Sequence, residues 1–198
     1  MGKWWQPSSW FRRQDRTVPS VMVTPSTPAP PKITAKRSGQ EGGASEKTGK
    51  MATVLAGKTL KRNDGDNHPD VSADSELQGK VVGLYFSAHW CPPCRQFTPV
   101  LKDFYEEVKE KEAFEIVFVS FDRSADDLKK YLGEAHGEWL YLPHGDPTIQ
   151  ALSEKYGVQG IPALIIIKQD GSVAVSNGRA DVQAGPSKFA SWKTACGL

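Results

Sequence analysis

The 198-residue chain is 38% hydrophobic and 24% charged, with a formal net charge of +2 at pH 7, which suits one domain with a hydrophobic core plus an appendage. Its three cysteines are too few for the disulfide framework of a small secreted protein, so a reducing compartment fits better. No stretch approaches the roughly 20 consecutive apolar residues of a membrane span.

Residues 1–50 differ in composition from the rest of the chain. Before Glu41 the only acidic residue is Asp15, and six prolines are interleaved with serine and threonine. We predict a disordered extension over residues 1–50 and a folded domain over residues 51–198. The composition also resembles a mitochondrial presequence, although the prolines disrupt an amphipathic helix beyond residue 18. We therefore expect a cytoplasmic protein, with nuclear or mitochondrial location as alternatives.

From residue 54 onward, strand and helix patterns alternate, which is typical of an α/β domain with a mixed central sheet. The predicted strands are Val54-Leu55 with Thr59-Leu60, Val81–Ser87, Glu115–Phe121, Ala163–Ile167 and Ser172–Ser176. One predicted helix follows Cys91, and a second runs to Leu132 with Ser124 as its N-terminal cap. The others run from Pro147 to Gly157 and lie around Ser187–Ala195.

The stretch Trp90-Cys91-Pro92-Pro93-Cys94-Arg95 follows the strand Val81–Ser87 and opens a helix. Cys91 would then lie at the helix N-terminus, where unpaired backbone N–H groups and the positive end of the helix dipole favour a thiolate. Cys94, one turn into the helix, would be near enough to attack a mixed disulfide formed on Cys91. The motif therefore predicts thiol–disulfide chemistry.

Activation of the cysteine has a definite energetic requirement. An ordinary cysteine has a pKa of about 8.5, and lowering it to about 7 requires about 2 kcal/mol. A helix terminus supplies about 0.3–1 kcal/mol at exposed sites and up to about 2 kcal/mol when partly buried. Arg95 and His89 could add to this, or be solvated surface residues, which is the interpretation we favour for His89. Pro92 and Pro93 stiffen the loop and are expected to tune the redox potential.

Zinc binding is the alternative use of a C-x-x-C pair. Tetrahedral zinc needs four ligands, and the remaining cysteine and histidines do not fall at zinc-finger spacing. Those residues are Cys196, His68, His89, His136 and His144. We therefore expect no metal. The sequence also lacks a glycine-rich dinucleotide motif, so we expect no bound nicotinamide or flavin.

A second element of interest is Ile161-Pro162, just before an apolar strand. This position indicates a rigid X-Pro bond, which can be cis. Beside the cysteines, such a loop would offer backbone groups to a bound peptide. The alternative is that Pro162 simply begins the strand.

The run Val82–Pro99, with Val117–Ser124, Lys155–Val158 and Gly160–Pro162, resembles the thioredoxin superfamily, and within it the tryparedoxin/nucleoredoxin group. The resemblance covers roughly residues 54–192, and several separated motifs agree in order and spacing. It implies an α/β thioredoxin-like fold, with a central mixed β-sheet flanked by helices.

The resemblance also implies roles for individual residues. Cys91 corresponds to the attacking thiolate and Cys94 to the resolving thiol. Ile161 and Pro162 correspond to the cis-proline loop that binds substrate, and Trp90 to the surface aromatic beside the active disulfide.

Two positions depart from the family pattern. Typical thioredoxins place a buried aspartate six residues before the first cysteine, where this chain has Tyr85. Tyr85 is either a hydrogen-bonding substitute or a packing residue, and we favour packing. The segment around residues 133–138 is an insert, which we expect to affect the choice of partner.

Together these features predict a monomeric protein-disulfide reductase with no bound cofactor and no nucleic-acid partner. Its substrates would be disulfide-containing proteins, with peroxiredoxins as candidates. Its electrons would come from an NADPH-dependent reductase, glutathione or a trypanothione-type dithiol. The alternative is a non-catalytic redox-sensing module that binds a signalling partner and releases it when Cys91 and Cys94 oxidise. Cys196 is interpreted as an incidental terminal thiol.

Overall fold

The computed structural model describes residues 55–198. The predicted extension over residues 1–50, the domain boundary at Met51 and the Val54 end of the first predicted strand all lie outside the described residues. Within residues 55–198, no helix has the length and apolar character needed to cross a bilayer.

The described residues form a seven-stranded mixed sheet with the order β2-β1-β5-β4-β3-β6-β7. The central strand β3 runs parallel to β4 and antiparallel to β6, so the predicted mixed sheet is confirmed. The strands are β1 Thr59–Arg62, β2 Asp70–Ser72, β3 Val81–Ser87, β4 Phe114–Ser120, β5 Leu140–Tyr141, β6 Ala163–Ile167 and β7 Val173–Val175.

Helices cover both faces of this sheet, and a hydrophobic cluster lies on each face. β3 and β4 are therefore buried along their whole length, which explains their nearly continuous apolar sequence. The helices are α1 Ala73–Leu77, α2 Pro92–Lys109, α3 Ala125–Ala135, α4 Thr148–Lys155, α5 Gly178–Ala184 and α6 Phe189–Cys196, with a 3₁₀ turn at Pro186–Lys188.

The strands β3 and β6 have the predicted bounds, and β4 begins and ends one residue earlier than predicted. The strands β2 and β5 and the helices α1 and α5 were not predicted. These elements have three, two, five and seven residues, too few to establish a hydrophobic period. α3 begins after its predicted cap Ser124, whose side chain accepts a hydrogen bond from the Asp127 N–H, but it continues three residues past Leu132.

The segment after α3 turns into the core. Trp139 is completely buried and His136 is 5% exposed, and the Trp139 indole N–H donates to His136 Nδ1 at 3.1 Å. Burial lowers the pKa of His136 to about 3. The insert therefore packs beneath α2 and α3 instead of forming a purely external loop. Because of its lowered pKa, His136 is neutral at physiological pH.

Burial of neutral His136 makes the folding stability depend on pH. The unfolded chain takes up a proton near the ordinary histidine pKa of 6.5, while the folded chain does so only near pH 3. Because the unfolded state then binds more protons, stability is lost as the pH falls below 6.5. From pH 7.5 to 5.5 this one group should lower the free energy of unfolding by about 1.4 kcal/mol.

Urea denaturation of the native protein and of a His136→Gln variant at both pH values measures this contribution. Glutamine does not titrate, and its amide oxygen remains available to accept from Trp139. The native protein should lose about 1.4 kcal/mol more than the variant. An identical pH dependence in both proteins would contradict the assignment.

Candidate redox site

The two cysteines lie where β3 passes into α2. Cys91 is the N-cap of α2, Pro92 and Pro93 form its first turn, and Cys94 lies inside it. Proline fits this turn because its missing N–H would have no helical partner there. Cys91 and Cys94 are joined by a disulfide, with their Cα atoms 5.2 Å apart. Cys91 retains 4% exposure and Cys94 none, so any external disulfide reaches Cys91 first.

The Ile161-Pro162 loop lies against the disulfide, although it is 70 residues away along the chain. The Ile161-Pro162 peptide bond is cis, as the sequence allowed. The Ile161 carbonyl oxygen is 3.8 Å from Cys91 Sγ, and the Ile161 side chain packs against both cysteines. The structure thus brings the predicted loop and the predicted dithiol together.

Trp90 is one of the few large hydrophobic side chains that the described residues leave exposed, at 48%. Its indole N–H donates to the Phe121 carbonyl oxygen at 2.9 Å, and the Arg123 guanidinium carbon lies 5.6 Å from its ring centroid. The tryptophan is therefore held in a fixed orientation beside Cys91.

Asp122 is a site residue that was not predicted from the sequence. Its side chain is 7% exposed, and it accepts from the His89 backbone N–H at 2.7 Å and from the Ser120 hydroxyl at 2.7 Å. These bonds fix the loop that leads into Cys91. The sequence could have indicated it only through its position directly after a predicted buried strand. Aspartate is also common at such positions in ordinary loops.

His89 and Arg95 are tied to their surroundings instead of being free in solvent. His89 Nε2 lies 3.0 Å from Glu134 Oε2, and its ring centroid is 5.4 Å from that of Tyr131. His89 therefore lies at the surface, as expected, but is bonded there to Glu134. Arg95 is exposed, and its Nη1 donates to the His89 carbonyl oxygen at 2.6 Å, so it braces the loop before Cys91.

Tyr85 is completely buried and also hydrogen-bonded, so packing alone does not describe it. Its hydroxyl lies 2.7 Å from Thr98 Oγ1. Thr98 donates its only hydroxyl proton to the Cys94 carbonyl oxygen at 2.9 Å and also contacts the Tyr131 hydroxyl. Both tyrosines must then donate to Thr98.

The buried hydroxyl of Tyr85 remains protonated at neutral pH. Burial, with a smaller contribution from Tyr131, raises its pKa well above the ordinary value. The residue therefore supplies a neutral hydrogen-bond donor beneath Cys94. It does not supply the negative charge that a buried carboxylate would bring to this position.

Cys196 lies at the other end of the sheet. Its Sγ is 3.7 Å from the Ile167 carbonyl oxygen, and Ile167 pairs with Val82 near the start of β3, whereas Cys91 follows the end of β3. Burial raises the pKa of the Cys196 thiol, so it is less reactive than an exposed cysteine. Across residues 55–198, no three His, Cys, Asp or Glu side chains are grouped so as to hold a metal ion.

The sequence of this chain is similar to those of several known proteins. Residues 79–173 match the family described as thioredoxin-like. Mouse nucleoredoxin is 45% identical over 131 residues, which are 65% of this chain and 28% of the relative. Tryparedoxin from Trypanosoma brucei brucei is 44% identical over 112 residues, which are 56% of this chain and 76% of the relative.

A solved structure extends the comparison to three dimensions. The crystal structure of thioredoxin from Wuchereria bancrofti is 49% identical, with a TM-score of 0.61 over 73% of this chain and 97% of that one. The chain thus spans most of the small relatives but little more than a quarter of mouse nucleoredoxin.

Proposed function

Because the chain belongs to the thioredoxin-like family, with nucleoredoxins and tryparedoxins among its relatives, we propose that it is a protein-disulfide reductase. The observation that carries the proposal is the Cys91–Cys94 pair at the N-terminus of α2, with Cys91 Sγ 3.8 Å from the Ile161 carbonyl oxygen. A substrate disulfide held by this loop would lie directly over the more accessible sulfur.

The proposed reaction moves two electrons and two protons. In the reduced protein, the Cys91 thiolate attacks one sulfur of the substrate disulfide, and the other substrate sulfur leaves as a thiolate that takes up a proton. Cys94 then loses its proton and attacks Cys91 Sγ, which breaks the mixed disulfide and releases the second substrate thiol. The protein is left with the Cys91–Cys94 disulfide.

The surrounding residues have separate roles in this proposal. The Ile161-Pro162 loop offers backbone groups to the substrate chain, and exposed Trp90 provides an apolar surface beside the reacting sulfurs. Asp122 and Arg95 hold the loop that carries Cys91. Pro92 and Pro93 restrict the first turn of α2, so the two sulfurs stay within bonding reach in both redox states.

An external donor would return the protein to the dithiol form. The candidates remain an NADPH-dependent reductase, glutathione or a trypanothione-type dithiol, with peroxiredoxins among the candidate substrates. Because the chain spans only 28% of mouse nucleoredoxin, the partners of that longer protein are not transferred to it.

Insulin reduction with each donor in turn tests the proposal. We expect catalytic turnover with at least one donor, at a rate well above that of the donor alone. A protein that captures partners only when reduced, with no turnover by any donor, would instead be a redox-sensing module. Such a result would overturn the reductase assignment.

A further inference from the structure

Arginine is distributed unevenly over the described residues. Four arginines lie between residues 55 and 198. Arg62 forms ion pairs with Glu76 and Glu115, far along the sheet from the cysteines. The other three, Arg95, Arg123 and Arg179, form no ion pair with any described residue, and all three lie at the redox site.

Each of these three arginines is anchored to a different residue of the site. Arg95 donates to the His89 carbonyl oxygen, two residues before Cys91. Arg123 lies over the ring of Trp90. Arg179 donates to the Pro162 carbonyl oxygen at 3.1 Å, with its guanidinium carbon 5.3 Å from the Phe97 ring centroid.

The anchoring contacts leave most guanidinium N–H groups without an acceptor. A guanidinium has five N–H donors. Arg95 and Arg179 each use one of them in the bonds described, and the buried Nε–H of Arg179 has no acceptor. Arg123 stacks its guanidinium on the Trp90 ring. Anchoring also fixes the orientation of each group in advance, which lowers the entropic cost of binding a ligand.

Nearby carboxylates do not neutralise the three arginines. Asp122 is buried and accepts from His89 and Ser120, and Glu134 lies against His89 and Lys130. Asp126 and Asp127 follow Arg123 in the first turn of α3, where Asp127 bonds Ser124, and neither forms an ion pair with any of the three arginines. The charge that contacts the site residues is therefore mainly positive, although the chain as a whole carries only +2. A planar guanidinium is matched to a carboxylate by two parallel hydrogen bonds.

We infer that Arg95, Arg123 and Arg179 form a carboxylate-binding rim around the dithiol, which selects substrates whose disulfide is flanked by aspartate or glutamate. This inference rests on the proposed reductase function and names its substrate class. The rim attracts an acidic segment and positions its disulfide over Cys91.

Three synthetic peptides test the rim. They share one disulfide loop and differ only in flanking residues, which are glutamate, glutamine or lysine. At low salt we expect kcat/KM for the glutamate peptide to exceed that for the glutamine peptide about tenfold, and the lysine peptide to be the poorest. At 0.5 M salt the ratio should fall towards one, because exposed charges are screened.

Single substitutions test whether these arginines cause the preference for the glutamate peptide. Arg123→Gln and Arg95→Gln should each lower the ratio of glutamate to glutamine peptide about threefold or more. Lys188→Gln removes the same charge from an exposed position that bonds none of the site residues, and it should leave the ratio unchanged. Equal ratios in all four proteins would overturn the inference, even if the glutamine peptide is reduced well.

A binding measurement separates this inference from the proposed function. A glutamate peptide with both cysteines replaced by serine should bind the oxidised protein, and NMR should detect it through the arginine side-chain N–H signals. Binding without turnover would reject the reductase and keep the rim. Turnover with no charge preference and no binding of this peptide would reject the rim and keep the reductase.

Discussion

A Cys91→Ser variant is expected to lose about 1,000-fold or more of its disulfide-reducing activity, because removal of the attacking nucleophile leaves no other group to form the mixed disulfide. Cys94 cannot replace it, since Cys94 is completely buried. The matched control is Cys196→Ser, which removes a thiol at the other end of the sheet and should keep near-native turnover. The measurement is insulin reduction with the best donor.

The Cys94→Ser variant should behave differently from Cys91→Ser. Cys91 still attacks, but nothing resolves the product, so a mixed disulfide with substrate accumulates. Intact-protein mass spectrometry should show an adduct that dithiothreitol removes, and peptide mapping should locate it on Cys91. Full turnover by Cys91→Ser, or a Cys94→Ser protein that never forms an adduct, would refute the proposed division of roles.

The second large effect concerns stability and arises at the start of β4. Glu115 is 2% exposed, with one carboxylate oxygen 3.1 Å from Arg62 Nη2 and 3.8 Å from Lys80 Nζ. Its other oxygen accepts from the Tyr105 hydroxyl at 3.0 Å. Burial, together with the charge of Glu115, raises the pKa of Tyr105, so the phenol stays neutral and donates to the carboxylate.

A Glu115→Gln variant should lose about 3 kcal/mol of unfolding free energy, because it leaves positive charge partly buried without its main counter-ion. Glu76→Gln is the matched control, since Glu76 contacts the same Arg62 from a side chain that is 31% exposed. That variant should lose no more than about 1 kcal/mol. Urea denaturation at pH 7 measures both, and equal losses would contradict the assigned role of burial.

The sequence predicted the parts of this molecule that depend on neighbouring residues. The strands β3 and β6 are continuous apolar runs, and the C-x-x-C motif places its own two sulfurs one helical turn apart. The cap Ser124 needs only the N–H of Asp127, three residues away. Each of these features is local, so a short stretch of chain determines it.

The features that the sequence did not reveal depend on contacts between distant segments. Asp122 reaches the redox site only because β4 lies beside β3, which brings its carboxylate to the His89 N–H. Tyr85 is hydrogen-bonded only because Thr98 and Tyr131 converge beneath α2. The side chains of His136 and Trp139 gave no periodic signal, because a single turn folds them inward.

The two-residue strand β5 joins the N-terminal hairpin to the rest of the sheet. β1 pairs with β5 through only Lys61 and Arg62, and Asn63 adds two hydrogen bonds to the segment before β5. This short β1–β5 pairing does not involve α2, the helix that carries Cys94 and begins at Cys91. Detaching the hairpin would also break the Arg62–Glu115 ion pair and expose the fully buried Leu60, so this edge of the sheet opens only with the loss of both contacts.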